Sequence, residues 1–173
     1  MAIVGSEKGL RRLTLPHPAP DKVLALIAEL IPKSVANTAV FRDLIVRLKH
    51  YFEGERVDFP DELDLQGTTP FQRDVWRLTF SIPYGETRTY SWIAKELGKP
   101  QGARAVGQAL ARNPLPIIIP CHRVVGSNGS LGGFSGGLEV KRRLLDLESE
   151  KVKALRLRVG YPETCSDGVV VGS

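Results

Sequence analysis

The sequence predicts two domains that meet near Gly67, the second mostly helical and built around a helix pair and a reactive loop. Three observations predict this. Val57 to Leu65 is short, acidic and turn-like, as a linker is. Directly after it, Thr69-Pro70-Phe71-Gln72 joins a capping residue, a proline suited to the first helical position and the glutamine of a capping box. Further on, two short helical patterns flank Gly98-Lys99-Pro100-Gln101, the layout of a helix-turn-helix.

In chain order, Asp21 to Ile31 reads as a short helix, opened by Pro20 and Asp21 and closed by Pro32. From Thr38 to Phe52, Phe41, Leu44, Ile45, Leu48 and Phe52 form a helical stripe that Gly54 stops. Beyond the boundary, Phe71, Val75 and Leu78 line one face of a helix that Ile82-Pro83-Tyr84-Gly85 breaks. Thr89 caps a helix through Leu97, ended by Gly98 and Pro100, and another helix runs from Gly102 to Arg112. This last helix is built from Gly102, Ala103, Ala105, Gly107, Ala109 and Ala111, with Arg104 among them. Small residues permit close approach, either to a neighbouring helix or to a nucleic-acid backbone, and ordinary αα-hairpins outnumber DNA readers. Leu138 to Glu148 is a final helix. Glu148 follows Leu144 and Leu145 by four and three residues, so it shares their inward face. A buried acid needs a partner, and His122 is the candidate. The tail after Glu148 carries no signal, and Cys165 in it reads as incidental.

Composition narrows the class. The chain has 173 residues, 42% hydrophobic and 25% charged, which suits a folded domain and argues against disorder. A net charge of +5 fits an anionic partner, though many solvated surfaces are basic. No apolar run approaches the roughly 20 residues needed to cross a bilayer, and Met1 to Arg12 lacks the apolar core of a secretory signal. A cytoplasmic protein with no membrane partner is expected. The two cysteines and three histidines lie too far apart for zinc-site spacing, so no metal is expected.

The chemistry gathers in Asn113-Pro114-Leu115-Pro116-Ile117-Ile118-Ile119-Pro120-Cys121-His122-Arg123-Val124-Val125. Three prolines exclude a helix, and the isoleucine run suits a buried extended segment with Cys121 and His122 at its mouth. A lone cysteine there is more often a small core hydrophobe, and the histidine beside it a satisfied polar group. The glycine-rich stretch Gly126 to Gly137 follows; it lacks the lysine of a triphosphate loop and reads as a mobile wall against a flat ligand.

Pro120-Cys121-His122-Arg123-Val124 closely resembles the active-site signature of the O6-alkylguanine-DNA alkyltransferases. Pro83-Tyr84-Gly85-Glu86, Thr89-Tyr90, Ala103-Arg104-Ala105-Val106-Gly107, Asn113-Pro114 and Ser135-Gly136-Gly137-Leu138 fall around it in the family's order. The resemblance covers about Thr69 to Glu148. It implies an α/β amino-terminal domain of ribonuclease-H-like type over residues 1–66, a helix-turn-helix domain over 67–150 and a tail over 151–173. It implies that Cys121 accepts the alkyl group, activated by His122, a water and Glu148, while Asn113 orders the turn. Tyr90 would bond the flipped guanine, Val124 and Ser135 would line its pocket, and Phe134 would wall it where some members carry tyrosine. Arg104 would fill the vacated base position, with Ala103, Gly107 and Ser127 against the DNA. The implied partner is duplex DNA with an alkylated guanine, contacted from the minor groove by a monomer, without a cofactor.

The chemistry is consistent with elementary principles. A free thiol ionises near pH 8.5, so attack requires stabilising the thiolate. Neighbours in an extended segment point to opposite faces, so a water between Cys121 and His122 is expected. Nothing in the sequence would cleave a thioether, so one turnover is expected. Three other readings fit less. A lesion-binding relative lacks the cysteine. A Cys-His-Glu hydrolase has no use for Arg104, and a transcription regulator leaves the reactive core unexplained.

Overall fold

The computed structural model describes residues 1–149 and 169–172, so Cys165 lies outside the described residues. The chain forms two compact units, one holding Met1 to Gln66 with the carboxy-terminal strand, the other beginning at Gly67.

In the first unit, β1 (Ala2–Ser6) and β2 (Gly9–Leu13) form an antiparallel hairpin. Strand β5 (Val169–Gly172) pairs parallel to the other side of β1, giving the order β2-β1-β5. The sequence reading found none of these strands. Ala2, Ile3 and Val4 are all buried, so β1 shows an apolar run instead of alternation, and its parallel partner lies at the far end of the chain. Helix α1 (Pro20–Ala25) lays Val23 on Ala2 and Val4, with Ile27 beside them. It stops well short of Ile31. Pro32 cannot donate to the Ala28 carbonyl and crowds it, so residues 26–30 tighten into turns such as Leu30 N–H to Ile27 O at 2.8 Å.

Helix α2 (Arg42–Phe52) buries Leu44, Leu48 and Tyr51, with Phe41 buried just ahead of it. Phe41, Leu44 and Leu48 of the expected stripe are buried, but Tyr51 takes the inner place at its end while Ile45 and Phe52 are half-buried; Thr38 to Phe41 stay outside the helix and no side chain caps its start. Residues 57–65, which read as a linker, are bonded to the hairpin instead. Leu10 N–H donates to Glu62 O, Asp64 N–H donates to Leu10 O, both at 2.8 Å, and Phe59 is buried. The Ser6 hydroxyl also donates to the Asp64 carboxylate at 2.8 Å.

In the second unit, α3 (Pro70–Phe80) begins with the expected capping box. Thr69 Oγ1 accepts from Gln72 N–H at 3.2 Å, and Gln72 Oε1 accepts from Thr69 N–H at 2.9 Å. Its buried face is Val75, Trp76 and Thr79, while Phe71 and Leu78 are only half-buried. Strand β3 (Arg88–Thr89) leads into α4 (Tyr90–Glu96), capped by Thr89 Oγ1 accepting from Trp92 N–H at 3.0 Å. Helix α5 (Ala103–Ala111) packs Val106, Ala109 and Leu110 inward, and the Trp76 indole donates to Ala109 O at 3.0 Å. Strand β4 (Val124–Val125) pairs parallel with β3, matching Arg88 to Val124 and Thr89 to Val125. That pairing sets the start of α4 beside the end of the Cys121 turn. Helix α6 (Leu138–Glu148) closes the unit with Lys141, Leu144, Leu147 and Glu148 buried.

Candidate active site

The segment before Cys121 is buried as expected, but it is not extended. Ile119 N–H donates back to Leu115 O at 2.8 Å, and Ile117 has φ 78°. A β-branched residue in that region costs of the order of 1–3 kcal/mol and persists only where its surroundings impose it. Here Leu115, Ile117, Ile118 and Ile119 are each at most 2% exposed. Asn113 ties the ends: its Oδ1 accepts from Leu115 N–H at 2.9 Å, and its Nδ2 donates to Ile119 O at 2.8 Å. Pro120 (φ −79°, ψ 63°) then makes an inverse γ-turn in which Cys121 N–H donates to Ile119 O at 2.7 Å. Cys121–Arg123 is a 3-10 turn, so the opposite-face alternation expected of a strand does not apply, and Cys121 and His122 are both buried.

The same Asn113 amide reaches the sulfur, with Nδ2 3.1 Å from Cys121 Sγ. Burial pushes the thiol above its ordinary value, while the Asn113 bond, the Lys141 charge and backbone N–H groups pull it down without cancelling burial. The net effect favours the thiol over the thiolate.

His122 follows Cys121 on the same turn. Its Nε2 lies 2.8 Å from Glu148 Oε1. With Nε2–H donating to the carboxylate, the lone pair of a neutral ring sits on Nδ1. Burial holds the imidazole below its usual value, and the Arg123 and Lys141 charges add to this against the pull of Glu148. Burial alone would raise the Glu148 carboxyl, but His122 and Arg123 outweigh it and hold it at about 2. Arg123 grips both oxygens, Nε to Oε2 at 2.8 Å and a terminal nitrogen to Oε1 at 2.9 Å. The Gly85 N–H also donates to Oε2 at 3.2 Å. Gly85 has φ 79°, and a Cβ there would meet the Glu148 carbonyl at 2.9 Å, so only glycine lets the turn come this close.

Lys141 was not anticipated. It is fully buried, and its ammonium donates to Val124 O at 2.5 Å, to Leu131 O and to Tyr90 Oη at 3.4 Å. No carboxylate is among these partners, and burial lowers it to about 8 against the attraction of Cys121. The glycine-rich stretch expected to be a mobile wall is thereby tied down at Leu131. It is held again at Gly133, whose carbonyl accepts from the Tyr90 hydroxyl at 3.3 Å. A Cβ on Gly132 (φ 63°) would lie 2.6 Å from that hydroxyl. Burial and the neighbouring Cys121 raise the Tyr90 phenol, so at neutral pH it is a donor.

The anticipated residues thus fall into two groups. Asn113 bonds Cys121 and His122 bonds Glu148, while Val124 and Tyr90 share the Lys141 ammonium, whose charge acts on Cys121 and His122. Phe134 is half-buried, and Ser135 and Ser127 are exposed on the loop. On α5, Arg104 is exposed, Ala103 and Gly107 are half-buried, and Gly107 lies against the Tyr90 ring, 3.8 Å from where its Cβ would be. Among the small residues of the helix, Ala109 packs inward while Ala105 and Ala111 face out. Sequence reasoning missed Arg123 and Lys141 as members of the site. Lys141 lies three residues before Leu144 and seven before Glu148, so the helical stripe carried the signal. Among the described residues, one group of possible metal ligands converges at the end of α2, where exposed His50 lies 3.6 Å from Glu53 and 3.2 Å from Glu55.

A family model, the DNA-binding domain of 6-O-methylguanine DNA methyltransferase, matches residues 70–150. A methylated-DNA–protein-cysteine methyltransferase of Mycobacterium bovis is 50% identical over 118 residues, 68% of this chain and 71% of that protein. One from Methanosarcina barkeri is 44% identical over 151 residues, 87% of this chain and 91% of that protein. A crystal structure of Mycobacterium tuberculosis OGT in complex with DNA superposes with a TM-score of 0.61 at 50% identity, covering 64% of this chain and 68% of that one. At such identity and coverage, the chain belongs to the methylated-DNA–protein-cysteine methyltransferase family.

Proposed function

We propose that the protein repairs alkylated DNA by moving a methyl or larger alkyl group from O6 of guanine to the sulfur of Cys121, once per molecule. The observation that carries this reading is the buried Cys121 sulfur, held by Asn113 on the turn that also presents the His122–Glu148 pair. The thiol proton passes through a water to Nδ1 of His122, and Glu148 stabilises the imidazolium that forms. The sulfur attacks the alkyl carbon, an S–C bond forms as the C–O bond breaks, and the electron pair stays on the guanine oxygen. Tyr90 and backbone N–H groups stabilise that developing charge, and the proton returns to the departing guanine. A thioether remains, and the protein is spent.

The target atom lies inside a duplex, so the base must be extruded into the pocket walled by Val124, Phe134 and Ser135, at a cost of a few kcal/mol. We read α4 and α5 as the helix-turn-helix that lies in the minor groove, with Ala103, Gly107 and Ser127 near the backbone and Arg104 in the gap. The exposure of Arg104 on the outer face of α5 supports that role. The hairpin, the parallel third strand and the helices of the first unit support a ribonuclease-H-like relationship. We expect a monomer acting inside the cell without cofactor or metal.

Intact-mass measurement after mixing with duplex DNA containing O6-methylguanine tests this. The original protein gains one methyl group. Cys121→Ser gains none and binds the duplex with similar affinity, because the thiol is not a phosphate contact. Methylated Cys121→Ser, or DNA that keeps its methyl group after mixing with the original protein, contradicts the proposal.

A further inference from the structure

Glu148 is shared. His122 takes Oε1 at 2.8 Å, while Arg123 takes Oε2 at 2.8 Å and Oε1 at 2.9 Å. The remaining Arg123 nitrogen donates to Ile82 O at 2.6 Å, and the guanidinium lies 5.7 Å from the centre of the Tyr84 ring. A fork held at three points, beside a carboxylate whose side chain is 1% exposed, is a fixed part of the site.

We propose that Arg123 is a positioning residue for alkyl transfer: by holding both oxygens of Glu148, it keeps His122 a neutral proton acceptor instead of an imidazolium. This rests on the proposed role of Cys121 and His122 in the reaction. A buried imidazole facing a carboxylate alone would form an ion pair, because an opposite charge in contact favours the protonated ring. A ring that already carries its second proton cannot take one from Cys121. Arg123 neutralises Glu148 first, leaving the carboxylate able to orient Nε2–H and to stabilise charge on the ring only once the proton arrives.

Among the described residues, Lys141 is a second cation that acts on the ring in the same direction as Arg123. Cys121 shares the turn with Arg123, and Lys141 on α6 contributes a positive charge. Tyr84 and the Gly85 N–H face it from the turn after α3, and Tyr90 of α4 accepts from the Lys141 ammonium. Burial and both cations keep the ring below its usual value in the intact site. Without Arg123, the balance moves toward Glu148.

The test follows the His122 ring by nitrogen NMR across pH in the original protein, Arg123→Gln and Arg123→Lys, alongside single-turnover methyl transfer. In Arg123→Gln the His122 midpoint should rise by about one pH unit or more. The acid limb of the transfer rate should rise with it, so the variant loses more rate at acid than at alkaline pH. Arg123→Lys keeps the charge but not the fork and should fall between the two. An unchanged His122 midpoint in a folded Arg123→Gln overturns the proposal, as does a uniform rate loss at every pH. If Arg123→Gln fails to fold, Arg123→Lys decides alone: an upward shift supports the proposal, and no shift overturns it. A midpoint that moves while the acid limb stays put shows instead that His122 is not the acceptor, which is a failure of the underlying mechanism.

Discussion

Asn113 shows how one side chain can set both a conformation and a reactivity. Its carboxamide bonds Leu115 N–H, Ile119 O and the Cys121 sulfur, so the strained turn and the thiol share one support. Asn113→Ala should cost about 1–3 kcal/mol of stability, the usual penalty for unpaired buried polar groups. It should also move Cys121 ionisation to higher pH, since the amide is one of the groups pulling the thiol down. Thiolate absorbance against pH reads this, with Cys121→Ser subtracted to remove the share of Cys165. A midpoint that stays or falls would show that the amide does not stabilise the thiolate. Cys121, His122, Asn113 and Glu148 were legible from their order and from the inward face of α6. Arg123 was not, because a strand reading gave its side chain no particular destination, whereas the 3-10 turn brings it to Glu148.

At the scale of elements, the helices of the second unit were legible because each carries its own punctuation. Thr69 and Gln72 open α3, Thr89 opens α4, and Leu138 to Glu148 is bounded as observed. The strands were not: β1 is a buried apolar run without alternation, and beside its hairpin partner β2 it takes β5, from the far end of the chain. Helix α5 carries the prediction that belongs here. Arg104→Ala should impair repair of duplex DNA far more than reaction with free O6-benzylguanine, which needs no extrusion. The duplex defect should shrink when the lesion faces a mismatch, where flipping costs less. A phosphate contact predicts otherwise, a uniform weakening on every DNA with a shallower salt dependence. Equal defects on free base and duplex would remove the intercalating role.

For the whole molecule, the buried site makes stability depend on acid. Glu148 has a folded value of about 2 against an ordinary 4.5, a depressed carboxylate. Its contribution is therefore complete above pH 4.5 and is lost as pH falls towards 2, about 3 kcal/mol across that window. His122 is held below its ordinary 6.5, so the unfolded chain binds its proton first, and some stability is already lost as pH falls below 6.5. Urea unfolding between pH 7 and pH 2, followed by tryptophan fluorescence from Trp76 and Trp92 in the second unit, reads both. Glu148→Gln should be less stable at pH 7 and nearly flat below pH 4.5. A variant with the same acid slope as the original would show that another group carries it.

The account rests on Cys121 being a sink that fills once. The most direct measurement is the number and location of methyl groups on the protein after exposure to a large excess of O6-methylguanine duplex. Peptide mapping should find one methyl per chain, all of it on Cys121, with repair ceasing when every chain carries it. More methyl groups removed from DNA than there are protein chains, or methyl found on Cys165, would contradict it.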